Sequence, residues 1–192
     1  MFRAVSRSLL TAALLLCCTA LSGQDRFLLG TFHSPKGVGA TAMFASPDAR
    51  ELDILTVRTD FYGFLSGRTR DVGASLSYTH DYRLFAWEEA DCRLQVHAGA
   101  GGMLGYGHDF ESGYFSATDR QLERSAGGIG ALAGNIALRA DFRRRISIDI
   151  GFSVYPGVHL RTDRRTGMLL VSFYRGGVIN AYLPQLNLMY RF

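Results

Sequence analysis

Tyr182-Leu183-Pro184-Gln185-Leu186-Asn187-Leu188-Met189-Tyr190-Arg191-Phe192 ends the sequence. Its even positions are Tyr182, Pro184, Leu186, Leu188, Tyr190 and Phe192; its odd positions are Leu183, Gln185, Asn187, Met189 and Arg191. A β-strand sends alternate side chains to opposite faces, so this stretch predicts a strand with one apolar-aromatic face and one largely polar face.

The same alternation recurs upstream. Arg26 to Phe32 and Gly37 to Ala45 read as two strands joined at Ser34-Pro35-Lys36. Leu52 to Leu65 follows, with a bulge expected near Gly63. After the turn Ser66 to Thr69, Val72, Ala74, Leu76, Tyr78, Tyr82 and Leu84 oppose Gly73, Ser75, Ser77, Thr79, Asp81 and Arg83. Trp87 to Asp91 reads as a turn. The fifth strand sets Cys92, Leu94, Val96, Ala98 and Ala100 against Arg93, Gln95, His97, Gly99 and Gly101. Gly128 to Phe142 is the sixth. Past Arg143-Arg144, the seventh places Ile146, Ile148, Ile150, Phe152, Val154, Val158 and Leu160 against Ser147, Asp149, Gly151, Ser153, Tyr155 and His159. Arg161 to about Val178 reads as a long connection, and its apolar part 168–174 as either a contact surface or a hairpin extending the strands.

The N-terminus carries Arg3 and Arg7, then apolar Leu9 to Leu16, then Thr19-Ala20-Leu21-Ser22-Gly23, which reads as a cleavable secretory signal over 1–23. Leu16 before Cys17 is a poor match for lipidation. Loss of Cys17 and Cys18 leaves Cys92 alone, so the mature chain has no internal disulfide. The rest, 24–192, suits one domain of about eight strands. No later apolar run reaches the about 20 residues of a spanning helix. Removing Arg3 and Arg7 lowers the formal charge from +4 to +2, too balanced to argue for nucleic acid.

Together these features predict an all-β fold, an eight-stranded antiparallel up-and-down transmembrane β-barrel. Connection lengths agree: those after strands two, four and six are short, and the two longest, 109–125 and 161–178, follow strands five and seven. With both termini in the periplasm, the long ones face outward. A soluble barrel would show the same alternation with its apolar face inside. The export signal, the aromatic terminus and the charges on the opposite face argue against it. About eight strands enclose only enough room for side chains. Arg58, Asp60, Asp81, Arg83, Arg93, Arg139, Asp141, Asp149 and Arg191 are therefore expected to form a paired lumen network. Phe27, Phe44, Tyr82, Trp87, Phe142, Tyr190 and Phe192 are expected as a girdle at the periplasmic interface.

The ending Leu186 to Phe192 resembles the C-terminal strand of bacterial outer-membrane β-barrels, in which a terminal Phe with alternate apolar residues is the signal read by the assembly machinery. That likeness implies Tyr182, Leu186, Leu188, Tyr190 and Phe192 as the signal residues. With Gly99-Ala100-Gly101-Gly102 and Gly127-Gly128-Ile129-Gly130 added, the chain resembles the small outer-membrane barrels common in Bacteroidota. The implied partners are outer-membrane lipids and lipopolysaccharide, the assembly machinery, and a surface or envelope protein. Some such barrels serve type IX secretion or conjugative transfer, and Tyr78 to Arg83 is similar to a strand of the conjugative group. The family supplies no catalytic residues.

Small barrels that modify lipid A make an enzyme the alternative. Such chemistry needs a nucleophile, a base and a carboxylate within hydrogen-bond reach. Histidines stand at 33, 80, 97, 108 and 159. Ser153 and His159 share a face but lie roughly 20 Å apart at about 3.3 Å per residue. His33 and Ser34 point to opposite faces. A cross-strand meeting of His97 with Asp149 stays open; otherwise His97 and His159 are satisfied lumen polars, with His80 and His108 at the interfaces. Cys92 faces the wall, and no metal-ligand spacing or phosphate loop is present. The expectation is a structural or surface-interaction barrel, with no catalytic residues, cofactor or metal.

Overall fold

The computed structural model describes residues 27–48, 50–61, 65, 72–89, 91–108, 126–142, 145–162 and 167–192. The signal segment 1–23, the loop 109–125, the turns at 66–69 and 143–144 and the bulge expected at Gly63 lie outside the described residues.

The strands are β1 (Phe27–Ser34), β2 (Gly37–Ala45), β3 (Glu51–Thr59), β4 (Ala74–Glu89), β5 (Cys92–Gly107), β6 (Gly127–Phe142), β7 (Ile146–Val154), β8 (Gly157–Thr162), β9 (Leu169–Phe173) and β10 (Gln185–Arg191). A one-turn helix α1 (Arg175–Ile179) and a 3-10 turn (Asn180–Tyr182) precede β10. Pairing runs β5-β4-β3-β2-β1-β10-β7-β6, and β6 returns to β5, so the sheet closes into an eight-stranded antiparallel barrel. Closure leaves the eight-stranded ring without an open edge. The β2–β3, β4–β5 and β6–β7 connections mark its short-turn end; the opposite rim is the loop end.

Four segments differ from the sequence expectation. β4 does not turn at Trp87 but runs on to Glu89, where it pairs with Cys92. A register shift between Arg83 and Phe85 marks a bulge. The bulge leaves both Leu84 and Phe85 exposed where strict alternation would hide one. β3 ends at Thr59 rather than continuing to Leu65. The seventh wall strand is split at Tyr155-Pro156 into β7 and β8, both paired to β6. Proline supplies no N–H to the ladder, and Tyr155 N–H turns aside to donate to Gly177 O at 3.0 Å.

The connection read at 161–178 is not a plain loop. β9 pairs with β8, Leu160 opposite Val171, as the hairpin alternative expected. The chain then turns through α1. The terminal strand begins at Gln185, so Tyr182 lies in the 3-10 turn, largely exposed, and not on the strand with Leu186, Leu188 and Tyr190. Gly177 makes this packing feasible: a Cβ there would stand 2.0 Å from Tyr155 O. At the tip of the β1–β2 hairpin, Lys36 Nζ donates to Gly176 O at 2.6 Å and clasps the helix from the other side.

The barrel is apolar on its outside. Leu55, Val57, Leu76, Leu104, Leu132, Ile136, Leu138, Ile150, Phe152, Leu186 and Leu188 are all exposed. Near the short-turn end lie Phe44, Tyr82, Phe142, Tyr190 and Phe192, with Trp87 on the β4 extension, all exposed as well. Phe27 is buried instead, its ring 4.9 Å from that of Phe44 and 6.0 Å from that of Phe192. Such an outward apolar face would be unstable in water and is suited to hydrocarbon.

Candidate functional site in the lumen

Two kinds of side chain divide the lumen. β1, β2, β3 and β10 contribute a buried apolar cluster of Leu28, Met43, Leu52, Ile54 and Met189. β4 to β7 contribute buried Asp81, Gln95, His97, Arg139, Asp141, Ser147 and Asp149. The sequence reading anticipated charges inside but not an apolar half. Met43 lies between Ala42 and Phe44 and Met189 between Leu188 and Tyr190, and alternation turns both methionines inward.

The ionic half holds two groups of contacts, one around His97 and one around Asp141. Arg139 on β6 stands opposite Asp149 on β7, with Nε 2.9 Å from Oδ1 and Nη2 3.3 Å from Oδ2. His97 bridges two carboxylates: Nδ1 lies 2.8 Å from Asp81 Oδ2 and Nε2 3.5 Å from Asp149 Oδ2. Asn135 Nδ2 donates to Asp81 Oδ2 at 2.6 Å. Asp141 accepts from Gln95 Nε2 at 2.6 Å and from the Ser147 hydroxyl, and Arg191 Nη2 lies 3.6 Å away. The other Arg139 nitrogen, Nη2, also reaches Met43 Sδ, so the two halves meet at that guanidinium.

Gly99 makes room for the centre. It faces Asp81 across the β4–β5 ladder, and a Cβ would stand 2.3 Å from Asp81 Oδ1 and 2.2 Å from His80 O.

Of the nine charged residues expected in one network, Asp81, Arg139 and Asp149 come together around His97, and Asp141 and Arg191 form a second pair. The others lie apart. Arg58 sits nearer the loop end, its guanidinium 4.9 Å over the Tyr155 ring and its Nε 3.2 Å from Ser75 Oγ. Asp60 lines a cleft at the loop end with Lys36, Arg58, Tyr106, His108 and Tyr174. Arg93 pairs with Glu88 at 2.9 Å on the β4–β5 extension, and Arg83 is half-buried before the bulge. Arg58 belongs to a separate buried group of Met103, Ile129, Ala133, Tyr155 and Tyr174 through Tyr155 and a contact from its Nη2 to Met103 Sδ at 3.3 Å.

The cross-strand meeting of His97 with Asp149 occurs, as a 3.5 Å charge contact beside the hydrogen bond of His97 to Asp81. His159 is buried with Nε2 3.2 Å from Gly107 O, on a different part of the wall. Among the described residues no three metal-ligating side chains cluster. The arrangement can hold and orient charge inside a closed tube. Gln95, Asn135 and Ser147 were not singled out by sequence reasoning. Their inward positions in the alternation were the available signal. No known family model, curated protein or solved structure matches this chain.

Proposed function

We propose that the chain is an integral outer-membrane barrel of the non-conducting kind, anchoring a binding surface at its loop end. The observation that carries this reading is the inversion of the barrel: a largely apolar exterior around a lumen that buries paired charges. Buried charges persist where each is paired, and an exposed apolar wall persists where hydrocarbon covers it. On this reading the short-turn end faces the periplasm and the β8–β9 hairpin faces outward. Leu169, Val171 and Phe173 line one face of β9, all more than half exposed, and among the described residues β9 is paired on one side only. An exposed apolar strand of that kind suits contact with another envelope or surface protein.

Three measurements test the proposal. Outer-membrane fractions washed with urea should retain the protein, and planar bilayers containing it should show no stepwise conductance. Release by the wash would overturn the membrane reading, and steady open channels would overturn the plugged lumen. A photo-crosslinker at Val171 in intact cells should capture a defined protein partner; capture of lipopolysaccharide alone would overturn the protein-binding role.

A further inference from the structure

The outer wall is not uniformly apolar. Asp53 on β3 and Tyr78 and His80 on β4 all face outward, and they converge on one atom. Tyr78 Oη donates to Asp53 Oδ1 at 2.7 Å, and His80 Nδ1 lies 2.9 Å from the same oxygen. The group is reachable from outside: the Asp53 side chain is 48% exposed and that of His80 34%. It sits beside the aromatic band. Asp53 pairs with Phe44, and the His80 ring meets the Tyr82 ring edge-on at 4.9 Å.

The chemistry of what remains unpaired is one-sided. Tyr78 donates to Oδ1, and so does His80 when its ring is the neutral Nδ1–H tautomer. Asp53 Oδ2 and His80 Nε2 make no hydrogen bond among the described residues, and in that tautomer both are acceptors. The cluster then carries one negative charge, two open acceptors and the adjacent Tyr82 ring. A carboxylate on a lipid-facing wall is destabilising unless it is compensated. A primary ammonium offers what the cluster lacks: positive charge, several N–H donors and affinity for an aromatic face. The surface next to it is shaped for what an ammonium-bearing lipid brings with it. Across the β4–β5 ladder, Tyr82, His80 and Tyr78 oppose Ala98, Ala100 and Gly102. These small residues form the floor of a trough, and Ile136 and Leu132 stand on its far side opposite Ala98 and Gly102.

We infer that Asp53, His80 and Tyr78 form a site for the primary ammonium of a phosphatidylethanolamine headgroup, with an acyl chain along the Ala98-Ala100-Gly102 trough. This rests on the membrane reading above. The test uses the full barrel in nanodiscs made from equal parts phosphatidylethanolamine, phosphatidylcholine and phosphatidylglycerol, with the retained lipid identified by native mass spectrometry after mild delipidation. Expected is selective retention of phosphatidylethanolamine, lost at least tenfold in Asp53→Asn, with folded barrel shown by unchanged heat-modifiable migration. Tyr78→Phe, which keeps the ring, should weaken retention less. Choline carries no N–H, so equal retention of phosphatidylcholine overturns the ammonium site, as does undiminished retention by Asp53→Asn. Failure of the protein to enter nanodiscs at all would instead overturn the membrane reading on which the site depends.

Discussion

Arg139 and Asp149 stand directly opposite each other on β6 and β7, joined by guanidinium–carboxylate contacts of 2.9 and 3.3 Å. Both are buried, and His97 ties the pair to Asp81. Removing one member of such a pair leaves the other charge desolvated without its counterpart. Arg139→Met should therefore destabilise the barrel by about 3–5 kcal/mol. Replacing both, Arg139→Met with Asp149→Leu, should recover part of the loss. Urea unfolding of the detergent-solubilised barrel, followed by tryptophan fluorescence, measures both; equal stability of the single variant and the parent would refute the pairing.

Gly99 tests the same centre through volume. A methyl group there meets the His80 carbonyl and the Asp81 carboxylate at 2.2–2.3 Å, well inside contact distance. Gly99→Ala should force β4 and β5 apart and cost about 1–3 kcal/mol, the usual range for overpacking. Gly128, with nothing within 4 Å of its added Cβ, supplies the control: Gly128→Ala should unfold at nearly the parent's urea concentration.

At the loop end, Gly177→Ala should act locally. Its Cβ would strike Tyr155 O at 2.0 Å, and Tyr155 N–H donates to the carbonyl of Gly177 itself. Loss of that contact should free α1 from the Tyr155-Pro156 break. Hydrogen exchange should quicken across β9 and α1 while the amides of β5 and β6 keep their protection. Uniform deprotection of the whole barrel would contradict this division.

One turn carries a pH dependence. The Ser46 hydroxyl, 2.7 Å away, and then the Arg50 backbone N–H hold the Asp48 carboxyl below its usual value of 3.8. A lowered folded pKa contributes order to the turn above the unfolded pKa, and that order is lost as pH falls through the folded pKa. Carbon-detected titration of the Asp48 carboxyl should give a midpoint below that of a free aspartate, returning toward it in Ser46→Ala.

Alternation alone carried most of the wall. Leu186, Leu188 and Tyr190 face outward, Gln185, Asn187 and Arg191 inward, because a strand has a side-chain period of two and nothing local competes with it. The breaks in the pattern were less legible. Trp87-Glu88-Glu89 has turn-like composition, but the ladder to β5 and the Glu88–Arg93 pair hold it extended. Met168 to Tyr174 could be read as a contact surface or a hairpin because a short apolar run has no period to separate them.

What the sequence determined by itself was the two sets of side chains that share a face, since that follows from position along each strand. Which inward residues meet was decided only by closure. Arg139 and Met43 are 96 positions apart and lie on strands that are not neighbours, yet the narrow tube brings them into contact across its axis. Alternation likewise put Asp53 and His80 on the outer wall, but the β3–β4 register that sets them side by side comes from pairing between distant segments. Side-chain direction is a local property of the strand. Registry across the ring is a property of the whole sheet, fixed when its last ladder closes.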